Sequence, residues 1–460
     1  MKYIISRSII CAAMMLTLAC KSFVEIEAPK DQIPSKKIYL NDELAIAAIR
    51  GIYSQMMSSI SFASGGVGSV TVLAGRSADD YIDCTTAGAL QFSTNELSPA
   101  NSELQAGLWQ SPYKIIYYAN SVLEGLEHSA NVSAALKTQL MAEAKFVRAF
   151  CYFYLTNLFG IVPLILGTDY RLNAVAPSTR QNVIYEQMIK DLKAARIELS
   201  EAYPTPERVR PNKAVATALL ARVYLYQEDW LNAEAMATAV IEKDNDYKIL
   251  DDLDQVFLKN SLEAIFQMPP VTNNINTREG QLFILNTAPG AATNVILNDK
   301  LVKDFEDGDR RLAKWVGKFS NTSGSWHYPF KYKVKTNTVV TEYSMVLRLA
   351  EQYLIRAEAR TKLGKYEAAR DDLNVIRKRA NLENTSFDTE PELLMAIERE
   401  RRMELFAEWG HRWLDLKRTK RADAVLAPLK TPNWQATDVL YPIPAAERAK
   451  NINLEQNNGY

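Results

Sequence analysis

The chain is poor in the residues that build most metal and redox sites. It contains 3 histidines and 4 cysteines in 460 residues, and two of the cysteines, Cys11 and Cys20, lie close to the N-terminus. Only Cys84 and Cys151 remain for the body of the protein, which excludes a disulfide framework as the basis of the fold. HExxH, GxSxG and metal-binding Cys/His spacings are also missing. The sequence therefore predicts neither a metal nor a cofactor.

The chain also has no excess of positive or of negative charge. Lys+Arg and Asp+Glu both total 54, so the formal net charge is zero. Without a basic excess nothing points to nucleic acid, and without an acidic tail nothing points to disorder. The apolar fraction of 47% is that of an ordinary globular protein, and no run beyond the N-terminus is long and apolar enough to cross a membrane.

The N-terminus, in contrast, is typical of a secretion signal. Lys2 and Arg7 precede an apolar run over residues 9–18, and Cys20 follows it at once. Bacterial lipoproteins are cleaved and acylated at a cysteine in this position. We predict a signal peptide over residues 1–19, a lipidated Cys20 and a polar tether over residues 20–40. Ordinary signal cleavage is the alternative, because Thr17 stands where lipoproteins usually have Leu.

The body is predicted to be mainly helical. Apolar periodicity predicts helices over residues 42–56, 109–126, 133–159, 183–199, 213–226, 345–363, 366–379 and 392–409. Short extended runs predict strands over residues 264–268, 281–285 and 331–334. We expect long loops over 58–99, including the glycine-rich stretch 65–68, and over most of 246–346 and 428–460.

A weak internal repeat lies within this pattern. Both copies predict a helix, a tight turn and a second helix, with small residues where the helices approach and an aromatic residue after the turn. The matching residues are Ala221, Trp230 and Ala233 in the first copy and Ala357, Tyr366 and Ala369 in the second. This is the logic of tetratricopeptide-like hairpins, and chance similarity between alanine-rich helices is the alternative.

An ordered set of motifs runs through both halves of the chain. The C-terminal motifs are RLAEQYLIRAEA (348–359), ERRMEL (400–405), GHRWLDLKR (410–418), YPIP (441–444) and NNGY (457–460). The N-terminal motifs are YYAN (117–120), EAKFVRAF (143–150) and FGIVPL (159–164). Together these motifs resemble the SusD/RagB family of Bacteroidetes outer-membrane lipoproteins. One departure is Asn458, where the family usually has Pro.

The resemblance implies a fold and a function. The fold is a tetratricopeptide-like scaffold with long, loop-rich and partly β insertions, in which a region over residues 41–245 packs with one over 246–460. The function is binding without bond cleavage: a lipid-anchored protein on the outer face of the outer membrane captures glycans, or peptides, for a SusC-like TonB-dependent transporter. A surface hydrolase and a structural or adhesive protein are the alternatives.

A sugar site needs flat aromatic faces and polar side chains on loops held by a rigid scaffold. Two loop regions offer both kinds of residue. The candidates are Tyr81, Asp80 and Phe92, with Asp79, in the first region, and Trp315, Trp326 and Tyr328, with His327, in the second. Trp326 is the strongest candidate because an exposed turn, residues 321–325, precedes it. Trp109, Trp230 and Trp413 lie in helical patterns and are expected in the core.

Carboxylates are a second type of candidate, because paired acids could hydrolyse glycosides. Glu400, Glu404 and Glu408 are spaced four apart and share one helical face, with Arg399 and Arg402 within one turn. We interpret this segment as an ion-paired part of the scaffold rather than a catalytic site. Adjacent acids such as Asp79 and Asp80 more often cap helices, bind an incidental cation or face solvent.

Overall fold

Helices form most of the molecule. The computed structural model describes residues 38–83, 88–290 and 295–460. The predicted signal peptide, Cys20, the tether up to residue 37 and Cys84 lie outside the described residues. The main helices are α1 (Asp42–Met56), α2 (Val70–Ser77), α3 (Leu90–Thr94), α4 (Ser111–Glu127), α5 (Ala134–Phe159), α6 (Tyr170–Asn173), α7 (Gln181–Glu198), α8 (Lys213–Tyr226), α9 (Trp230–Ile241), α10 (Arg278–Phe283), α11 (Asp299–Lys303), α12 (Arg310–Trp315), α13 (Leu349–Lys362), α14 (Tyr366–Arg379), α15 (Glu390–Leu405), α16 (His411–Arg418), α17 (Ala422–Lys430) and α18 (Ala445–Lys450).

The strands are short and form two-stranded antiparallel sheets. They are β1 (Tyr81–Asp83) with β5 (Val295–Leu297), β2 (Val162–Pro163) with β3 (Ser178–Thr179), β4 (Ala264–Met268) with β8 (Ser344–Arg348), and β6 (Val316–Asn321) with β7 (Gly324–Pro329). Within the described ranges, no helix is both long enough and apolar enough to span a bilayer.

The repeated helical hairpins are α8–α9 and α13–α14, and they confirm the tetratricopeptide-like arrangement. The matched alanines of both copies are fully buried between the helices. The turns also correspond, because Glu228 and Gly364 occupy equivalent positions and both have positive φ, 56° and 74°. Helix α9 packs against α13, so the two hairpins stack on each other, and α7 extends the stack through α8. The division of the chain near residue 245 stays a prediction.

Several local predictions were wrong, and burial explains the clearest case. Within the stretch predicted as loop, Ser69 caps the buried helix α2. All eight residues of this helix are buried, so its sequence does not alternate between a buried and an exposed face. The glycine-rich stretch 65–68 is also largely buried, and the carboxyl group of Glu279 lies where a side chain at Gly65 would begin.

Three further corrections concern segments of ambiguous pattern. The residues predicted to begin a helix at 345 form strand β8, since a short apolar run fits a buried strand equally well. The predicted strand 281–285 overlaps helix α10, which is capped by Thr277. The predicted strand 331–334 is a loop, whose backbone N–H groups at Lys333 and Val334 donate to the Glu342 carboxylate instead of a neighbouring strand.

Candidate ligand-binding surface

The hairpin β6–β7 carries the strongest sequence candidate, Trp326. Its register pairs Gly317 with Tyr328, Phe319 with Trp326, and Asn321 with Gly324. Because side chains alternate along a strand, these pairs share one face of the hairpin. The aromatic residues of both strands are therefore gathered on a single side.

Phe319 and Trp326 form a stacked pair on that face. Their ring centroids lie 6.3 Å apart with an angle of 24° between the planes, and both side chains are half-buried. They pack on a small apolar cluster of Ile284, Leu285, Ile296, Tyr328 and Phe330, separate from the main core. An offset aromatic pair on a firm apolar base offers a flat, partly exposed surface to a ligand.

Two glycines make room for the aromatic rings. A side-chain carbon at Gly317 would lie 2.3 Å from the ring of Tyr328, and one at Gly324 would lie 2.9 Å from the ring of Trp326. Gly324 also has φ +154°, which L side chains rarely adopt. The rings lie directly over the glycine backbone, which holds the aromatic face flat.

We expect Gly317→Ala to destabilise the protein by about 1–3 kcal/mol, because the added methyl group must displace the packed Tyr328 ring. Gly51→Ala is the matched control. Gly51 is exposed in helix α1, its added carbon would meet nothing within 4 Å, and the change should stabilise by up to about 1 kcal/mol. Urea unfolding of both variants checks the prediction, which equal effects would contradict.

The opposite face of the hairpin is polar. Lys318, Ser320 and Ser325 are exposed and alternate with the aromatic residues along the strands, so their side chains point away from the aromatic pair. The hydroxyl oxygens of Ser320 and Ser325 lie 2.9 Å apart on that face. Asn321 is exposed on the aromatic face, where its side chain can donate and accept hydrogen bonds, as sugar hydroxyl groups require.

Trp315 anchors the base of the hairpin. It is fully buried, and its indole nitrogen donates to the carbonyl oxygen of Leu253 at 3.1 Å. The N–H of Phe330, just beyond β7, donates to the carbonyl oxygen of Trp315 at 2.8 Å. Trp315 thus fixes both ends of the hairpin to the core, and it offers no ring face to a ligand.

The other sequence candidates are not gathered at the hairpin surface. Tyr328 is on the aromatic face but is buried beneath it. Tyr81 lies in the same buried cluster as Trp315, and Phe92 is fully buried in the main core. Trp109 and Trp413 are in the core, as expected, whereas Trp230 is only partly buried against it.

Asp79 and Asp80 lie in a buried ion-pair cluster with two arginines. Arg402 donates to Asp80 at 3.0 Å, and Arg412 donates to Asp79 at 2.7 Å. Burial alone would raise the pKa of Asp79, but the hydrogen bond from Arg412 and the charge of Arg402 outweigh it and lower the pKa. These acids join helices α15 and α16 to the segment before β1, so Asp80 is separate from the aromatic surface.

The acids of the ERRMEL segment form a second buried ion-pair network, which we call the Glu404 network. Glu404 accepts from Arg311, Arg348 and Arg379. Its remaining members include Glu263, Asp309, Lys331, Arg377, Glu400 and Glu408. The prediction of an ion-paired scaffold is confirmed, but the partners come from distant segments rather than from Arg399 and Arg402 on the same helix.

Comparison with known proteins identifies the family to which the chain belongs. A SusD-like family model, described as starch-binding and associating with the outer membrane, matches residues 23–225. A model described as the SusD family matches residues 314–460. The chain belongs to the SusD/RagB family. The predicted resemblance is confirmed.

Relatives match this SusD-family chain over nearly its full length. SusD-like protein P2 of Formosa agariphila is 28% identical, with 97% of this chain and 98% of the relative covered. A SusD-like protein of Bacteroides ovatus is 26% identical, with 89% and 81% covered.

Solved SusD-like structures share its fold. A laminarin-binding SusD-like protein has a TM-score of 0.77 at 25% identity and covers 92% of this chain and 100% of its own. Surface glycan-binding protein A of Bacteroides thetaiotaomicron, solved with laminarihexaose, has a TM-score of 0.75 at 20% identity, with 91% and 100% covered. The second likeness shows the fold alone.

One residue of the aromatic surface in this SusD-family chain was missed from the sequence. Phe319 stacks on Trp326, yet it lies in a stretch predicted as loop. The signal was available, because residues 316–321 and 324–329 flank a short polar turn and place Phe319 and Trp326 at equal distances from it. That symmetry is the pattern of a β-hairpin.

Proposed function

We propose that this protein captures glycans at the cell surface on the aromatic face of β6–β7 and delivers them to a SusC-like TonB-dependent transporter. The observation that carries the proposal is the half-buried stack of Phe319 and Trp326. Sugar rings pack their C–H faces on such aromatic surfaces, and the exposed amide of Asn321 on the same face can bind hydroxyl groups. Trp326 is the residue proposed to make the main contact.

The similar proteins support a glycan rather than a peptide ligand. One solved structure is described as laminarin-binding, and the family model that matches residues 23–225 is described as starch-binding. Laminarin oligosaccharides are therefore the first probes, followed by starch, mucin and plant glycans and then by peptides. Isothermal titration of the mature protein with each probe tests the proposal. Failure to bind every glycan, by a folded protein, would contradict it.

Capture without cleavage is part of the same proposal. The hydrolase hypothesis would select Asp79, Asp80 and Glu404 as catalytic acids. All three are buried and form ion pairs with arginines. A glycosidase instead needs two carboxyl groups that flank an accessible bond. Steady release of reducing ends from a bound glycan would contradict the binding role.

The proposed anchor at Cys20 gives a direct prediction. In a bacterial host, the wild-type protein should incorporate labelled palmitate and fractionate with membranes, since several acyl chains on one cysteine anchor stably. Cys20→Ala should lose the label and be released from membranes by washing, whereas Cys151→Ala, which changes a buried thiol, should keep the label and stay on washed membranes. Retention of unlabelled Cys20→Ala on washed membranes would contradict the anchor.

The proposed transporter partner is tested by co-purification. Affinity capture of the membrane-anchored protein in mild detergent should recover a barrel protein of the TonB-dependent class. Recovery of the lipoprotein alone, under conditions that preserve other outer-membrane complexes, would contradict this partner and favour a surface protein that acts by itself.

A further inference from the structure

A patch of exposed apolar side chains lies far from the aromatic hairpin in sequence. Its members are Tyr117, Leu166, Tyr170, Leu172, Val175 and Ile452, and we call them the apolar patch. Tyr170 and Leu172, on the single turn α6, are 76% and 69% exposed, and Ile452 is 91% exposed. Single exposed apolar residues are ordinary, but a group on neighbouring segments marks an interaction surface.

Hydrogen bonds show that these segments are neighbours. Asn120 on α4 donates to the carbonyl oxygens of Ile165 and Gly167, so the loop before α6 lies on the same face of α4 as Tyr117. At the other end, Asn451 and Asn453 donate to the carbonyl oxygens of Ala176 and Val175, both at 2.8 Å. Ile452, between these two asparagines, therefore borders the end of the loop.

The start of the described chain lies beside the same helix. The hydroxyl of Tyr39 donates to the carbonyl oxygen of Ser121, and Ser129 donates to the carbonyl oxygen of Tyr39. Tyr117 and Ser121 are one helical turn apart, about 6 Å along α4. The segment that leads back to Cys20 thus joins the body next to the apolar patch, and it can span at most about 60 Å.

We propose that the apolar patch rests on the lipid surface to which the proposed Cys20 anchor tethers the protein. The inference rests on the lipid anchor of the proposed function. Tyrosine and leucine on a short projecting segment are suited to the boundary between headgroups and acyl chains. The patch gives the tethered body a preferred orientation, with the α4–α6 side toward the membrane.

The charges around α6 indicate which lipids matter. Arg171, between Tyr170 and Leu172, forms an ion pair with Asp169 at 2.8 Å, and it is the charged residue of the turn itself. Because this pair is neutral overall, contact with lipid should depend on apolar insertion rather than on attraction to anionic headgroups. Binding should therefore change little between low and high salt.

The test uses unacylated mature protein carrying Cys20→Ala, so that the anchor itself contributes nothing. Sedimentation with vesicles of phosphatidylethanolamine and phosphatidylglycerol gives a partition coefficient. The double variant Tyr170→Ser/Leu172→Ser should lower this coefficient about tenfold or more, since each apolar side chain removed loses the transfer of several methylene groups. Ile197→Ser/Leu231→Ser is the matched control, because these two residues are 77% and 67% exposed on α7 and α9.

Each outcome decides the inference. A selective, salt-insensitive loss in the α6 variant supports it. No vesicle binding by the wild type, or equal losses in both double variants, overturns it. Unchanged vesicle binding together with lost recovery of the barrel partner, or with lost self-association in sedimentation velocity, also overturns it and assigns the patch to a protein contact. Failure of palmitate labelling would instead count against the anchor and leave the vesicle result intact.

Discussion

Glu404→Ala is expected to lower the free energy of unfolding by about 3–5 kcal/mol. Glu404 is fully buried and accepts from Arg311, Arg348 and Arg379, which come from three separate segments of the chain. Removing this carboxylate leaves three buried guanidinium groups without the acceptor that they share. A loss of this size can be a large part of the total stability of a domain.

The pH dependence of the same site gives an independent check. Burial alone would raise the pKa of Glu404, but the charges of Arg379, Arg348 and Arg311 outweigh burial and hold it far below the usual range. A carboxyl whose pKa is depressed by folding contributes stability above its unfolded pKa of about 4.3, and that contribution is lost as the pH falls toward its folded pKa. The stability difference between wild type and Glu404→Gln should therefore be largest above about pH 5 and should shrink in acid.

Guanidinium chloride unfolding, followed by circular dichroism at several pH values, measures both effects. Glu390→Ala is the control, because Glu390 forms an exposed ion pair with Lys362 and its loss should cost no more than about 1 kcal/mol. Equal losses for the two variants would show that the Glu404 network contributes little to stability.

The helical scaffold could be predicted from sequence because its signals are local. Helices α1, α5, α8 and α14 appear close to their predicted bounds. Three of them have a cap or a stop in the sequence, namely Asn41 before α1, Asn212 before α8 and Gly160 after α5. The repeated hairpins could also be predicted, since the buried alanines and the aromatic residue after each turn recur in order.

The Glu404 network was predicted only in part, because its geometry depends on contacts between distant segments. Spacing placed Glu400 and Glu404 on one helical face, and both are ion-paired. No local pattern shows that Arg311 and Arg348 would meet them there. Helix α15 also ends earlier than predicted, at Leu405, where positive φ angles at Ala407, Trp409 and Gly410 turn the chain.

The candidate site was likewise predicted only in part. Its two tryptophans look alike in sequence, yet Trp315 is buried at the base of the hairpin while Trp326 is half-buried on its face. What separates them is position relative to the turn, because Trp326 is two residues from Gly324 and Trp315 closes helix α12. Tyr81 and Phe92 lie in the stretch predicted as loop. Much of that stretch forms buried helices and a strand, so both side chains are inside the protein and cannot contact a ligand.

Trp326→Ala is expected to weaken glycan binding about tenfold or more, which corresponds to roughly 1.4 kcal/mol or more. The substitution removes the largest ring of the stacked pair and leaves Phe319 without its partner. Phe319→Ala should weaken binding less, because Trp326 would still cover Gly324 and present its own face. Titration with laminarihexaose, or with whichever glycan the panel identifies, measures both losses.

If Trp326 contacts the ligand directly, its substitution should lower affinity and leave the stability of the protein nearly unchanged. The hairpin's base is fixed by Trp315 and Phe330, so Trp326→Ala should unfold at nearly the wild-type denaturant midpoint while affinity falls. Phe387→Ala is the control, because Phe387 is an aromatic residue, 44% exposed, on the loop before α15. Loss of affinity in Trp326→Ala alone would support the aromatic face as the site. Wild-type affinity in Trp326→Ala would show that the hairpin is not the binding site. Whether the protein binds glycans at all is tested separately, by titration of the wild type.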